Sequence, residues 1–287
     1  MPSPSLSVIV RTRARPARLA EALASLARQT FRQFEAVVVD MGDEANWSVV
    51  EQASAGLPSV QHLVVSPSLS RPGALNYGIE RAEGALFGVL DDDNLYEPEH
   101  LSNLVNGIAS TGGELVYTGT RRETYTPEGD LVHVESIHQT PFDYARLLME
   151  NFIYATSMAC RRRLWERVGG YDARFPVYED WDFLIRCAAI GRVEPVAGFT
   201  AVSRSFTGRP DMPEHHREVD DCRRCAIGVL WVHRATRRRV LGRRPDLIGP
   251  HHPLHRHGVH AVEMPVLRDW WTRSRAAGLT KPPPWAS

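Results

Sequence analysis

Lysine is nearly absent from this 287-residue sequence, in which Lys281 is the one basic residue that is not an arginine or a histidine. Cysteine is scarce too: Cys160, Cys187, Cys222 and Cys225 are too few for a disulfide scaffold of this length. No apolar run approaches the roughly 18–20 residues that span a bilayer. The first residues also lack the basic segment and apolar core of a signal peptide. We therefore expect a cytoplasmic protein in a reducing compartment.

Charge is balanced overall but unevenly distributed along the chain. Residues 1–203 contain 18 arginines against 26 acidic residues, a net charge of −8. Residues 204–287 carry a net charge of +8 and eight of the twelve histidines. Apolar residues make up 43% of the chain, which is enough for a sizeable core. The pattern predicts an acidic folded domain and a basic extension that meets an anionic surface or packs on that domain.

The first half of the chain alternates apolar strands with amphipathic helices. Short β-branched or apolar runs predict strands at Ser7–Val10, Ala36–Val39, Val60–Val65 and Ala85–Leu90. Apolar residues at helical spacing predict helices from Pro16 to Ala27, Trp47–Ala55, Pro72–Ala82 and His100–Ile108. Strands and helices in this order predict an α/β fold with right-handed crossovers and a mostly parallel sheet flanked by helices.

The second half is less regular. The pattern predicts strands at Leu115–Tyr117, Leu131–Val134 and Val193–Val202. It predicts helices at Phe142–Glu150, Arg162–Val168 and Trp181–Ile190, and a long basic helix at Val219–Arg239.

Polar segments follow three of the predicted strands, at Arg11–Arg15, Asp40–Asp43 and Asp91–Asn94. Because the carboxyl ends of parallel strands lie at one edge of a sheet, these segments should converge on one crevice, where ligands bind. Three adjacent aspartates repel one another, and a bound cation would relieve that repulsion. Mn²⁺ and Mg²⁺ prefer oxygen ligands, so the cluster predicts one of these ions. The alternative is a solvated acidic turn.

Several motifs occur in the order found in a known family. The segment SVIVRTRARPARLAEALASLARQTFRQFEAVVVDMGD resembles the opening of the family 2 glycosyltransferases, S-V-I-I-P-T-Y-N-R-P followed by E-I-I-V-V-D-D-G-S. Arg71–Gly84 is similar to R-x-x-A-x-N-x-G-I-x-x-A-x-G, and Leu90–Pro98 to L-D-x-D-D-x-x-x-P. Val168–Asp172 and Glu179–Arg186 resemble V-G-G-F-D and E-D-x-D-L-x-x-R. The resemblance extends over about residues 5–205 and implies a GT-A-like, Rossmann-like fold.

The resemblance also implies an activity and a division of the chain. It implies metal-dependent, inverting transfer of a sugar from a UDP-, GDP- or dTDP-sugar to a carbohydrate, lipid-linked or small-molecule hydroxyl. Such transfer serves bacterial polysaccharide, glycolipid and glycoconjugate synthesis. Residues 1–205 would form the catalytic domain, with the nucleotide-binding half at 1–100 and the acceptor half at 101–205. Residues 206–287 would form a helical, basic, histidine-rich extension. The acceptor surface is expected from Tyr117–Ser157.

Site residues are implied position by position. The residues implied to bind the nucleotide sugar are Thr12, Arg15, Asp40, Arg71, Asp91 and Asp92. Asp93 is the expected metal ligand, supported by Asp91. Asp180 is the expected base that removes the acceptor proton, with Glu179 as the second candidate. Asn76 and Gly78 are expected to be structural.

The chain departs from the family pattern in four places. Arg11 stands where the family often has proline, and Met41-Gly42-Asp43 replaces Asp-Gly-Ser. Asn94 stands where aspartate is frequent. A family Arg-x-His, whose histidine can join the metal, is replaced by Arg204-Ser205-Phe206. His215 or His216 is a candidate replacement.

Alternatives stay open at this point. A sugar-phosphate nucleotidyltransferase can share the sheet and acidic site, but it usually carries a glycine-rich loop that Arg11–Arg15 lacks. A non-catalytic nucleotide-sugar-binding protein of the same fold is the other alternative. In the extension, the C-x-x-C spacing of Cys222 and Cys225 is weak evidence for zinc. Ile227–Arg244 fits a peripheral membrane contact, packing on the acidic domain or a homo-oligomer interface. No nucleic-acid-binding module accompanies its charge.

Overall fold

The computed structural model describes residues 4–42, 46–137, 141–207, 229 and 232–241. Within these ranges, one sheet of nine strands is flanked by helices. The strands are β1 (Leu6–Thr12), β2 (Phe34–Asp40), β3 (Val60–Val64), β4 (Leu86–Asp91), β5 (Leu95–Tyr96), β6 (Leu115–Tyr125), β7 (Leu131–Ile137), β8 (Met158–Arg161) and β9 (Val193–Phe206). The helices are α1 (Pro16–Ala27), α2 (Asn46–Ser54), α3 (Arg71–Arg81), α4 (His100–Thr111), α5 (Tyr144–Leu147), α6 (Arg162–Val168), α7 (Glu179–Ile190) and α8 (Arg234–Leu241).

The sheet confirms the predicted α/β fold. Its order is β3-β2-β1-β4-β8-β6-β9-β5, and β7 pairs with β6. The first four strands of this order are parallel. In the register of β1, Arg11 lies between Val39 and Asp91, and Thr12 lies beside Asp40. The ends of β1, β2 and β4 therefore lie side by side, as the sequence predicts.

Alternating strand residues divide the core between the two faces of the sheet. Ile9 and Val39 contribute to one apolar cluster, which α3, α6 and α7 cover. Val8 and Val38 contribute to the other, which α1, α2 and α4 cover. Because successive strand residues point to opposite faces, the fully apolar runs of the central strands fit burial on both sides.

The second half differs from its predicted elements in length and pairing. β8 lies antiparallel between β4 and β6, and neither it nor the two-residue β5 was predicted. β6 continues to Tyr125 because it pairs along that length with β9. The helix predicted at Phe142–Glu150 is only α5, which begins where the Asp143 carboxylate accepts N–H groups of its first turn.

Asn76 and Gly78 have the structural roles expected of them. The Asn76 amide donates to the carbonyl of Tyr171 and accepts its N–H, both at 2.8 Å, so it ties α3 to the loop before α7. Trp165 Nε1 also donates to it. A Cβ on Gly78 would lie 2.7–2.8 Å from side-chain carbons of Val39 and Ile9, so glycine lets α3 approach the sheet.

The described part of the C-terminal region packs against α7 and the apolar cluster that it covers. Val229 is fully buried in the cluster that α7 covers, and Val232 packs against it. His233 Nε2 lies 2.8 Å from Asp182 Oδ1 on α7. Packing on the acidic domain is therefore seen for this segment. Predictions for the cysteine pair, the other histidines of the extension and the rest of Val219–Arg239 fall outside the described residues. No helix in the described ranges is both long and apolar enough to cross a membrane.

Ala14, in the turn after β1, has a φ of 51°. Left-handed backbone costs an L-residue about 1–2 kcal/mol, and asparagine tolerates it best after glycine. We expect Ala14→Asn to raise the free energy of unfolding by about 0.5–1 kcal/mol, measured by thermal or urea denaturation. Ala20→Asn on the exposed face of α1 is the control and should lower it. A loss of stability in Ala14→Asn would contradict the prediction.

Candidate active site

A cleft opens at the carboxyl ends of β1 and β4. It consists of two adjoining cavities of about 250 and 390 Å³, which share Arg11, Arg71 and Asp91. The smaller cavity is also lined by Thr12, Arg13, Arg15, Met41, Asp92 and Asp93. The larger is also lined by Leu75, Val89, Asn151, Tyr154, Ala155, Val177, Tyr178, Glu179 and Asp180. The cleft thus joins the strand-end arginines and aspartates to the start of α7.

Arg11 forms the ionic centre of this cleft. Its Nε and Nη2 donate to the two carboxylate oxygens of Asp91, each at 3.0 Å, and its Nη1 donates to Glu179 at 2.9 Å. The side chain of Arg11 is 7% exposed and that of Glu179 8%. Burial lowers the pKa of Arg11, but the charges of Asp91 and Glu179 outweigh it and hold the pKa above its ordinary value. Arg11 is therefore a fixed cation.

Asp92 and Asp93 are paired with residues at the end of β1 and in the turn that follows it. Thr12 donates to Asp92 at 2.8 Å, and Arg15 Nη1 lies 2.9 Å from Asp93 and 3.2 Å from Asp92. Arginines at and after the end of β1 thus supply countercharge to all three aspartates in this structure, and the bound cation that the sequence analysis expects stays a prediction. The partners lie 78–80 residues away along the chain, so the sequence did not show them.

The aspartates of the cluster differ electrostatically. Burial raises the pKa of Asp91, but Arg11 and Arg71 outweigh it, so the pKa lies below its ordinary value. Burial is also the largest effect on Asp92, and there it prevails over Arg15 and Thr12, so the pKa is raised. Arg71 is half exposed and lies 3.6 Å from Asp91 and 3.7 Å from Glu179. Asp91 is therefore the more firmly ionised of the two aspartates.

Asp180 lies in the first turn of α7, beside Glu179. Its carboxylate accepts from Asn151 Nδ2 at 3.1 Å and from the Trp181 N–H at 2.8 Å. Burial, then the charge of Glu179, raises its pKa to about 6, although both hydrogen bonds favour the charged form. A carboxylate with a pKa near neutrality is suited to accept a proton at working pH.

The first turn of α7 is anchored from several directions. Trp181 Nε1 donates to the Leu147 carbonyl at 2.7 Å. Asp182 is buried and pairs at 2.7 Å with Arg186, which lies one helical turn further along α7. Arg186 in turn donates to the carbonyl of Val168, the last residue of α6, and to that of Gly170 just beyond it. The helix that carries Glu179 and Asp180 is therefore held rigidly.

Two tyrosines line the cleft that the sequence analysis did not identify as site residues. Tyr154 and Tyr178 line the larger cavity, and Tyr178 has a φ of 62° at the start of α7. Strained backbone of this kind in a bulky residue is often found at functional sites. No motif marks these tyrosines or Asn151, although Asn151 and Tyr154 fall in the stretch expected to supply the acceptor surface.

Asp40 is not among the residues that line the cleft. Its carboxylate is fully buried and contacts Asn46 Nδ2 and His62 Nε2, each at 3.1 Å. Met41 lines the smaller cavity beside Thr12. Nucleotide contact by Asp40 stays a prediction.

Asn94 and Phe206 explain two departures from the family pattern. Asn94 Oδ1 accepts the backbone N–H of Arg204 at 3.0 Å, so the amide joins the aspartate turn to β9. Phe206 stacks on Tyr125, with ring centroids 5.5 Å apart, and the Arg18 guanidinium lies 3.8 Å above its ring. Phe206, which stands at the position of the family histidine, therefore packs against Tyr125 and Arg18.

Two curated relatives that resemble this chain are named as glycosyltransferases. A 31% identical segment of 194 residues, 65% of this chain and 71% of the relative, occurs in "PGL/p-HBAD biosynthesis glycosyltransferase" of Mycobacterium tuberculosis. An uncharacterized glycosyltransferase of Bacillus subtilis is 26% identical over 198 residues, 67% of this chain and 70% of its own.

Solved structures show the same fold. S. aureus TarS 1–349 in complex with UDP-GlcNAc matches with a TM-score of 0.61 at 19% identity, over 79% of this chain and 66% of that one. The mannosyltransferase PcManGT from Pyrobaculum calidifontis, in complex with GDP-Man and Mn²⁺, matches with a TM-score of 0.58 at 19% identity, over 82% and 65%. The match to another TarS structure covers only 39% of the TarS chain in it.

The family model described as "Glycosyl transferase family 2" matches residues 7–196, which include the predicted site residues from Thr12 to Asp180. Together with the strand-end acids and the carboxylates of α7, that match shows that the chain belongs to glycosyl transferase family 2.

Proposed function

We propose that this glycosyltransferase moves a sugar from a UDP-, GDP- or dTDP-sugar to an acceptor hydroxyl, with inversion at the sugar carbon. One observation carries the proposal: Asp180, with its pKa raised to about 6, shares a cleft with the arginines of the strand ends. The family match favours glycosyl over nucleotidyl transfer, and the relatives' names favour an enzyme over a non-catalytic binding protein.

The donor is proposed to bind in the smaller cavity. Four arginines line it, Arg11, Arg13, Arg15 and Arg71, and a guanidinium fork suits the oxygens of a diphosphate. Thr12 and Asp92 adjoin them, where the nucleoside is expected. The nucleotide sugars in TarS and PcManGT support this class of donor.

The transfer itself is proposed as a single displacement. The acceptor oxygen bonds to the sugar carbon, the bond from that carbon to the diphosphate oxygen breaks, and the acceptor proton passes to Asp180. Asn151 and the Trp181 N–H orient the carboxylate of Asp180 for this task. Arg71, half exposed between Asp91 and Glu179, is free to turn towards the departing phosphate.

A divalent cation, Mn²⁺ or Mg²⁺, fits this site at Asp93. Its side chain is 24% exposed, and its partner Arg15 is 32% exposed, so the pair can separate. No group of three or more His, Cys, Asp or Glu side chains in the described ranges could hold a metal alone. Donor phosphates would complete the coordination, as is common for Mg²⁺. When bound, the ion would stabilise charge on the departing diphosphate.

The acceptor is proposed to bind in the larger cavity. Besides Asp180 and other charged or polar side chains, its lining contains the apolar and aromatic side chains of Leu75, Val89, Tyr154 and Tyr178. Such walls favour a ring, from a sugar, a glycolipid or an aromatic small molecule. Peripheral membrane contact and self-association of the extension stay predictions.

The experiment that tests the proposed function is a thermal-shift screen of UDP-, GDP- and dTDP-sugars with and without Mn²⁺, followed by measurement of sugar transfer or donor hydrolysis. Ligands that bind the native state raise its melting temperature. Stabilisation by one nucleotide class, followed by release of its diphosphate, supports the proposal. A sugar phosphate with a nucleoside triphosphate releasing pyrophosphate would contradict it.

The raised pKa of Asp180 predicts the pH dependence of the reaction. A base must be deprotonated, so kcat/KM should rise through about pH 6 and level off above it. In Glu179→Gln the neighbouring charge is removed, and the midpoint should move to lower pH. Initial rates at fixed donor concentration give both profiles. A profile without a rise near this pKa would contradict the assignment.

A further inference from the structure

β7 (Leu131–Ile137) is an exposed edge strand of the sheet. Among the strands that the structure describes, it pairs only with β6, so its other edge presents backbone N–H and carbonyl groups without a strand partner in that part of the chain. Six of its seven residues are exposed, and Ile137 is half-buried. An open edge of this kind is a template on which another strand can pair.

The side chains of β7 do not shield this edge. Leu131, Val132 and Val134 are 51%, 54% and 45% exposed, and they are three of the seven large apolar side chains exposed in the described ranges. Edge strands that stay single are commonly protected by lysine or proline, and the segment Leu131–Ile137 contains neither. Apolar side chains gathered on an open edge therefore indicate a surface that another chain covers.

The sequence of β7 restricts how it could pair with a second copy of itself. Its regular part is His133–Ile137, because the shift in its register with β6 lies beside Leu131 and Val132. In two identical antiparallel strands related by a twofold axis, residues of one face oppose residues of the same face. The axis must then pass between two copies of the same residue. Near the middle of the strand, that residue is His133, Val134 or Glu135.

Charge selects among these three arrangements. An axis at His133 or at Glu135 would place two identical ionisable side chains opposite each other. An axis at Val134 places His133 opposite Glu135 of the second copy, twice in each dimer, and an imidazole N–H can donate to a carboxylate. Glu135 also pairs with Arg122 of β6, but its side chain is 47% exposed and a carboxylate accepts several hydrogen bonds. Complementary cross-strand pairs stabilise a sheet, whereas like charges directly opposite destabilise it.

We propose that β7 is a homodimer interface, in which the open edges of two copies pair antiparallel with Val134 at the twofold axis. Such a contact is self-complementary and closes on itself, so it produces dimers rather than fibres. The proposal does not depend on the proposed function, since no residue of β7 lines either cavity of the cleft.

The first test exchanges the two charged positions and measures the oligomeric state of the full chain by sedimentation velocity. Because a contact between two short strands is small and weak, concentrations up to about 200 µM are needed, and the wild-type chain should show a monomer–dimer equilibrium. His133→Glu and Glu135→His should each weaken dimerisation about tenfold, because identical side chains then oppose each other. Glu80→His, on the exposed face of α3, has the same change of residue type as Glu135→His and should leave the equilibrium unchanged.

Combining the exchanged residues separates pairing from a general loss of stability. The double variant His133→Glu/Glu135→His puts glutamate opposite histidine again and should restore dimerisation. An equimolar mixture of the two single variants should form mixed dimers, because each copy then supplies the partner that the other lacks. A wild-type chain that stays monomeric, single variants that dimerise normally, or a double variant that stays as weak as they are would overturn the proposal.

The second test reads the register by disulfide cross-linking with oxidised glutathione. Opposite residues in antiparallel strands have Cβ atoms about 4.5–5.5 Å apart, so Val134→Cys should cross-link two copies above the wild-type background. In the same register Ser136 lies about 13 Å along the strand from its counterpart, so Ser136→Cys should not exceed that background. Equal cross-linking by both variants would overturn the proposed register.

Folding of each variant is checked by circular dichroism. A lipid surface is the other occupant that an exposed apolar strand could take. A chain that stays monomeric but co-sediments with phosphatidylglycerol vesicles, and loses that binding in Val134→Glu, would assign β7 to a membrane surface and overturn the dimer.

Discussion

Replacing Asp180 by asparagine should lower kcat by about 10²- to 10⁴-fold, the usual contribution of a general base. Asparagine keeps the shape and the hydrogen bond from the Trp181 N–H, but it cannot accept the acceptor proton. The raised pKa, caused by burial and by the charge of Glu179, is the reason for choosing this carboxylate. The measurement is initial-rate kinetics with the donor found in the thermal-shift screen.

Donor binding separates a chemical defect from a folding defect. Asp180→Asn should keep the stabilisation by donor, because the smaller cavity does not include residue 180. Asp130→Asn, in the exposed turn between β6 and β7, is the matched control and should keep wild-type turnover. If Asp180→Asn turned over normally and Glu179→Gln did not, Glu179 would be the base and the assignment of Asp180 would be wrong.

Replacing Asn76 by alanine should lower the free energy of unfolding by about 2–4 kcal/mol. The variant leaves the N–H and carbonyl of the buried Tyr171 without their partner, and the Trp165 indole N–H loses its acceptor. Each buried polar group left unpaired costs about 1–3 kcal/mol. The melting temperature should fall by about 4–16 °C.

The controls for Asn76 test the hydrogen bonds rather than the helix. Asn106→Ala, on the exposed face of α4, should change stability by less than about 0.5 kcal/mol. Asn76→Asp keeps an acceptor for the Tyr171 N–H but loses the donor to its carbonyl, so an intermediate loss is expected. A change in Asn76→Ala no larger than in Asn106→Ala would contradict the prediction.

The first half of the fold could be predicted because its signals are local. Apolar runs such as that of β1 and the helical spacing of α1 and α3 fix each element, and parallel strand order then brings Arg11 and Asp91 together. The second half could not be predicted as well. β8 pairs with β4 and β6, whose residues lie about 40 to 75 positions earlier, and such pairing leaves no periodicity in four residues.

The acids of the site were found through motifs, whereas their partners were not. Asp93 and Asp180 are marked by their neighbours in sequence. Asn151 has no such mark, and its contact with Asp180 depends on how α5 and the following loop pack on α7. The role of Asn94 was equally hidden, since its partner Arg204 is 110 residues away.

By itself, the sequence determined the family, the order of the first strands and the edge of the sheet at which the acids gather, because hydrophobic spacing and short motifs are local properties. Only the tertiary structure decided how those acids are neutralised. It placed Arg11 between Asp91 and Glu179 and gave Asp180 a raised pKa, since burial and the distances between charges exist only when remote segments pack together.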